Sequence, residues 1–140
     1  MNRSLHNSLL FSLTLLLVAC NSGSDEPTDE ACLLSEVTVT PIVLDFGDVA
    51  IGHPSTLEVE VINSGCFELE LVSLDMQQGS SPAFSVASEF EAQPIRVSQR
   101  VLVQMQFYAA TKGEAAGKID IVTDLRYDGV KTVDLSGTGI

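Results

Sequence analysis

The chain has 140 residues, with seven Lys and Arg against nineteen Asp and Glu, a formal net charge of −12 and a pI near 4.2. That length holds one small domain plus a targeting segment and excludes a multidomain enzyme, while a field of that sign repels phosphate backbones and excludes nucleic acid as a partner. A hydrophobic fraction of 45% is enough for a packed core and speaks against wholesale disorder.

The first element in the chain is an export signal. Arg3 is the only basic residue before Arg96, and it precedes an apolar run over residues 9–18 broken by Ser12 and Thr14. This is the n-region and h-region order of a secretory signal. The run is too short for a bilayer core, which needs roughly twenty helical residues. Leu17, Val18, Ala19 and Cys20 then resemble the lipobox of bacterial lipoproteins. In that family a signal peptidase cuts before the Cys, which carries diacylglycerol and an N-acyl chain such as palmitate. The resemblance implies removal of residues 1–19 and anchoring in membrane lipid through Cys20. An ordinary secretory signal with Cys20 near the cut by chance is the other reading. Lipidation matters physically because each buried CH₂ contributes about 0.8 kcal/mol, so two or three chains hold a protein that one chain would not. In enteric lipoproteins an Asp after the lipidated Cys favours the inner membrane; Asn21 stands there, so the resemblance implies the outer membrane rather than the inner one.

Residues 20–31 form the expected lipidated Cys and its tether. Residues 21–31 carry Asp25, Glu26, Asp29 and Glu30 among Ser, Gly, Thr and Pro, with almost nothing to bury. Eleven such residues span at most about 35–40 Å when extended, so residues 32–140 stay close to the membrane.

From Val37 onward apolar residues recur with period two, the pattern of half-buried strands. The inward sets are Ile42, Leu44 and Phe46; Leu57, Val59 and Val61; Phe67, Leu69 and Leu71; Val101, Val103, Met105 and Phe107; Ile119 and Ile121; Val133 and Leu135. Turn signals separate them: Phe46-Gly47-Asp48, Gly52-His53-Pro54, Asn63-Ser64-Gly65, Gly79-Ser80-Ser81-Pro82, Lys112-Gly113-Glu114 and Tyr127-Asp128-Gly129. After Leu71 the apolar set shifts to Val72, Leu74 and Met76, which predicts a bulge or a strand crossing between sheets. No helical stripe is present. Short strands at this spacing predict an all-β antiparallel sandwich.

Pro41, Leu44-Asp45-Phe46-Gly47-Asp48-Val49, Ile51-Gly52 and a strand ending in Asn63-Ser64-Gly65 resemble the ASH or Hydin-type (choice-of-anchor D) immunoglobulin-like domain. Phe84 after Ser81-Pro82, Val103 to Phe107, Gly113, the strand from Gly117 to Asp124 and the closing Val133-Asp134-Leu135-Ser136-Gly137-Thr138-Gly139 follow in the same order. The match covers residues 37–140. The chain departs from the family where Ala109 and Ala110 replace its usual Pro. The resemblance implies an immunoglobulin-like sandwich of seven to nine strands, related to the major sperm protein and pilus-chaperone folds, with no catalytic site and no cofactor.

Candidate chemistry is sparse. Once Cys20 is acylated, Cys32 and Cys66 are the cysteines that remain, and an oxidising compartment favours a bridge between them over two thiols. A metal pair lacks companions. His53, the sole His of the mature chain, sits in a Gly-His-Pro turn; catalysis would require a nucleophile and an acid beside it. Asp120, Asp124 and Asp128 read as a solvated strand end rather than a calcium loop. Tyr108 and Tyr127 read as partly buried side chains with wet hydroxyls, or as interface anchors. Residues 20–95 hold fourteen acids and no Lys or Arg, whereas residues 96–140 hold six bases and five acids. That asymmetry predicts either Lys and Arg of the C-terminal half facing N-terminal strands across a sheet, or an acidic face that repels anionic envelope surfaces or attracts a cationic partner.

The expected function is a lipid-anchored envelope protein presenting one immunoglobulin-like domain as a noncatalytic protein-binding or scaffolding module. Its expected partners are membrane lipid and an envelope or surface protein. A structural envelope lipoprotein without a specific partner and a small hydrolase are the rival readings.

Overall fold

Alternation of apolar and polar side chains drives this chain into strands, because each strand can then bury one face and wet the other. The computed structural model describes residues 34–140, so Cys20, Cys32, the export signal and the tether lie outside the described residues. Nine strands follow in order: β1 (Val37–Thr40), β2 (Val43–Val49), β3 (Pro54–Asn63), β4 (Leu69–Met76), β5 (Phe84–Val86), β6 (Gln93–Ile95), β7 (Arg100–Tyr108), β8 (Gly113–Thr123) and β9 (Val130–Gly139). One sheet has the order β1-β3-β7-β5 and the other β2-β9-β8-β4-β6. This is the predicted immunoglobulin-like sandwich. Every ladder is antiparallel except β2 with β9. The parallel pair arises because the first strand of the domain changes sheets midway, at the cis Thr40-Pro41 bond, and keeps its direction. The segment holding β5 and β6 changes sheets in the same manner, so each sheet has one edge made by each of these divided strands.

The inward sets pack where the alternation puts them. Val59, Val61, Leu71, Met105, Ile119, Ile121 and Val133 are fully buried. Phe46, Phe84 and Phe107 form an aromatic cluster with ring centroids 5.8, 5.6 and 4.9 Å apart. The facing sheet makes room for it with glycine: a Cβ on Gly137 would lie 2.8 Å from Phe107 Cε1. Phe84 and Phe107 from the four-stranded sheet, Phe46 from the five-stranded sheet and the missing side chain of Gly137 together give a layer of interior packing density.

Three local readings differ from the sequence expectation, and a fourth is settled by the structure. Phe46-Gly47-Asp48 is a bulge inside β2 rather than a turn; Gly47 has φ +63° and donates its N–H to Asp45 Oδ1 at 2.9 Å. Ile42 and Phe67 are exposed, because each precedes its strand, in a crossover or a loop where the alternation has not begun. β5 and β6 carry no sequence expectation, since three residues are too few to display a period. Of the two explanations for the shift after Leu71, the bulge is the one realised: the β4–β8 register slips between Leu71 and Ser73, and Val72 is pushed outward.

Candidate functional site at the N-terminal end

The strand directions gather three loops at the end where the chain comes in. β3 runs into residues 64–68, β6 into residues 96–99 and β8 into residues 124–129; the first and third lie beside Leu34 to Glu36, and the second is bonded to Asn63 at the end of β3. The incoming backbone is stitched to the first loop, with Ser64 N and Gly65 N donating to Glu36 O and Cys66 N donating to Leu34 O at 2.9 Å. Gly65 is dictated by this contact, since a Cβ there would lie 2.5 Å from Glu36 N and 2.7 Å from Leu34 O.

Asn63 and Thr123 are the buried polar side chains among the described residues, and both serve this end. Asn63 Nδ2 donates to Phe67 O at 2.7 Å and Ile95 O at 2.8 Å, while its Oδ1 accepts from Gly65 N at 3.1 Å. Its backbone N–H bonds Gln99 O and its carbonyl accepts from Ser98 N, both at 3.0 Å. One residue therefore fixes the 64–68 and 96–99 loops together. Thr123 Oγ1 donates to Gly129 O at 3.0 Å and closes the third loop. Buried polar groups cost free energy unless satisfied, so a full set of partners here makes a defined loop geometry. Ser98 at φ 64° and Asp128 at φ 58° are the non-glycine residues in the left-handed region among the described residues, and both belong to these loops. Backbone in that region is held only where the surroundings over-determine it.

These pinned loops carry large apolar side chains into solvent: Leu34 is 66% exposed, Phe67 52%, Val97 47% and Tyr127 82%. A groove of about 380 Å³ lined by Ser35, Glu68, Asp124, Leu125, Arg126 and Tyr127 opens at the same end. Charges are balanced in place, with Arg96 beside Glu68 at 3.8 Å and Lys131 paired with Asp128.

The residues singled out in the sequence fall in different places. Cys66 is half-buried in the first loop of this end. His53 is exposed at the opposite end, where its N–H bonds Ala50 O at 3.1 Å, and among the described residues its imidazole pairs with no nucleophile or acid. Asp120, Asp124 and Asp128 do not converge. Asp120 accepts from Thr132 Oγ1 at 2.6 Å and Gln77 Nε2 at 2.8 Å, Asp124 accepts from Glu70 N at 2.8 Å, and Asp128 meets Lys131. Tyr108 is half-exposed at the far end, whereas Tyr127 is not the partly buried ring expected but stands clear of the surface on its loop. Nothing in the sequence marks Asn63 as an organiser, since Asn before Ser-Gly reads as a wet turn, and nothing marks Val97.

The charge asymmetry is resolved only in part within the molecule. Arg96 with Glu68 and Arg100 with Glu60, the latter at 2.7 Å, join the two halves as expected. Lys118 with Asp134 at 2.8 Å and Lys131 with Asp128 pair inside the C-terminal half. Of the ten acids between residues 34 and 95, eight have no ion pair among the described residues. On the outer face of the five-stranded sheet, Lys118 and Asp134 are direct cross-strand partners. The Asp134 hydrogen bond and charge, with a smaller contribution from Asp120, hold the Lys118 ammonium above its ordinary range.

No family model and no curated protein matches the sequence. Among solved structures, the sandwich is similar to the ASH/PapD-like domain 7 of human CEP192, with TM-score 0.63 and 15% identity over 76% of this chain and 86% of that one. It is also similar to the VesB protease of Vibrio cholerae, with TM-score 0.58 and 13% identity over 73% of this chain and 31% of that one. The E. coli chaperone DraB gives TM-score 0.53 and 11% identity over 74% of this chain and 54% of that one. The chain thus spans about half of DraB and less than a third of VesB. Likeness at these identities defines the fold alone: an immunoglobulin-like β-sandwich.

Proposed function

We propose that this protein is a bacterial lipoprotein, anchored through an acylated Cys20 in the outer membrane, that presents an ASH/PapD-like sandwich as a noncatalytic protein-binding or scaffolding module. The observation that carries the reading is the pairing of two features. Leu17-Val18-Ala19-Cys20 stands just upstream of an acidic tether, and the sandwich that follows keeps the two buried polar side chains found among the described residues for loop geometry rather than for chemistry. His53, the residue on which a hydrolase would depend, lies at the far end without a nucleophile or acid beside it among the described residues, which favours binding over catalysis. Eight N-terminal acids without an ion pair among the described residues suit a cationic envelope or surface protein, whose encounter would be steered by charge and would slow as salt rises.

The test is detergent-free fractionation of wild type and Cys20→Ala with mass spectrometry of the amino terminus. A membrane-bound wild type with an acylated Cys20 and a soluble or uncut variant are expected. A soluble wild type with a free amino terminus overturns the lipoprotein reading. Crosslinking in the native cell then separates a binding module, which yields a discrete adduct, from a purely structural lipoprotein, which yields none.

A further inference from the structure

We propose that the N-terminal end of the sandwich is a lipid-contacting surface, with Phe67, Val97, Tyr127 and Leu34 seated in the headgroup region of the membrane that holds Cys20. The proposal rests on the lipoprotein reading and adds an orientation to it. Three observations converge. The four side chains project from one end, and they are carried on loops fixed by Asn63 and Thr123 rather than buried with the core. The chain comes in at that same end: Cys20 lies fourteen residues before Leu34, a path of at most about 50 Å, and the far end stands a further ten-residue strand away, roughly 33 Å. The charges of the three loops are compensated locally, Glu68 by Arg96 and Asp128 by Lys131, with Asp124 and Arg126 two residues apart on the third loop.

That chemistry selects the occupant. Aromatic and aliphatic side chains without an excess of positive charge favour a zwitterionic lipid surface, since attraction to anionic lipid requires clustered Lys and Arg. Tyr127 has the amphipathic ring that suits the boundary between headgroups and acyl chains, with its hydroxyl left in water. Lipid contact at this end would hold the sandwich upright, with His53, Tyr108 and Ile140 pointing away from the bilayer and the edges of both sheets open to a partner.

The chain contains no Trp, so single Trp variants report position directly. The full lipidated protein is reconstituted as Phe67→Trp, Tyr127→Trp and, for the far end, Tyr108→Trp in phosphatidylcholine vesicles with and without brominated acyl chains, and flotation is measured on the same samples. All three sites are solvent-exposed, and far-UV circular dichroism checks each fold. Emission from Phe67→Trp and Tyr127→Trp is expected to fall to about half with brominated lipid, as for rings buried roughly 5–10 Å into the interface, while Tyr108→Trp is unchanged. Vesicle-bound protein whose near-end Trp residues are quenched no more than Tyr108→Trp overturns the proposal and leaves the anchor standing. A blue shift that grows with protein concentration without bromine quenching assigns the end to a second copy of the chain and also overturns it. Failure of the wild type to float removes the anchor and the orientation together.

Discussion

Asn63→Asp exchanges an NH₂ for an oxygen in a side chain of almost unchanged shape, so it tests the organisation of the N-terminal end without opening a cavity. Asn63 is fully buried and donates to Phe67 O at 2.7 Å and Ile95 O at 2.8 Å. The substituted side chain keeps the acceptor for Gly65 N at 3.1 Å but faces both carbonyls with a second oxygen. Each buried acceptor left without its donor costs about 1–3 kcal/mol, so the two together cost roughly 4 kcal/mol at neutral pH. For a domain of this size that is a Tm fall of roughly 15–25 °C.

The loss is also pH-dependent, with a definite sign. Burial and the two carbonyls disfavour the charged form of the introduced carboxyl, so its folded-state pKa is raised above the unfolded value of about 3.9. A group with a raised folded pKa favours the native state below its unfolded pKa and forfeits that contribution as pH rises through the folded value. Below that value the protonated acid also donates one hydrogen bond and restores one of the two contacts. Thermal melts of wild type and variant should therefore show a Tm gap that is small near pH 4.5 and widens by pH 7.5, read as a difference so that the wild type's own pH response cancels. A gap equal at both values, or one below about 1 kcal/mol at neutral pH, refutes the assignment of Asn63 as the shared donor.

Gly137→Ala drives a Cβ to within 2.8 Å of Phe107 Cε1 and should cost about 1–3 kcal/mol by calorimetry, partly recovered when combined with Phe107→Leu. Lys118 should titrate above its ordinary 10.5 by NMR, and Asp134→Asn should bring it back. Because that pKa is raised in the folded state, its contribution is complete below 10.5 and fades as pH climbs through the folded value, so the variant should lose the corresponding alkaline slope in Tm. A Cys32–Cys66 bridge is expected from chain reach. Cys66 N bonds Leu34 O at 2.9 Å, and Cys32 stands two residues earlier, about 7 Å of chain. Iodoacetamide should leave both unlabelled before reduction, and reduction should lower Tm, since closing a loop of about 35 residues contributes roughly 4 kcal/mol. Quantitative labelling without reductant rules the bridge out.

The fold was legible because alternation is a property of neighbours. Val59 and Val61, Val103 to Phe107 and Ile119 to Ile121 announce buried faces two residues at a time, and the slip at Leu71 showed as a change of phase before any partner strand was known. What depended on distant chain was not legible. β2 pairs in parallel with β9 across some ninety residues, and β5 and β6 exist only because β7 and β4 offer them edges.

The same distinction separates what could and could not be read of the candidate end. Cys66 and Tyr127 stood out by residue type, yet the feature that joins the 64–68 and 96–99 loops is Asn63, which in sequence is the opening of an Asn-Ser-Gly turn. Its importance comes from burial, and burial of that amide requires Ile95 to arrive from a distant part of the chain with its carbonyl turned inward, beside the local carbonyl of Phe67. An exposed Asn in a turn satisfies itself with water and could be exchanged at little cost, whereas this fully buried one holds three backbone groups, two of them in buried hydrogen bonds. Polar residues with local partners fix turns; polar residues with distant partners fix the relative position of loops. A surface assembled from separate loops, as the N-terminal end is, depends on the second kind, and so its apolar crown of Phe67, Val97 and Tyr127 is defined only once the sandwich has closed around Asn63.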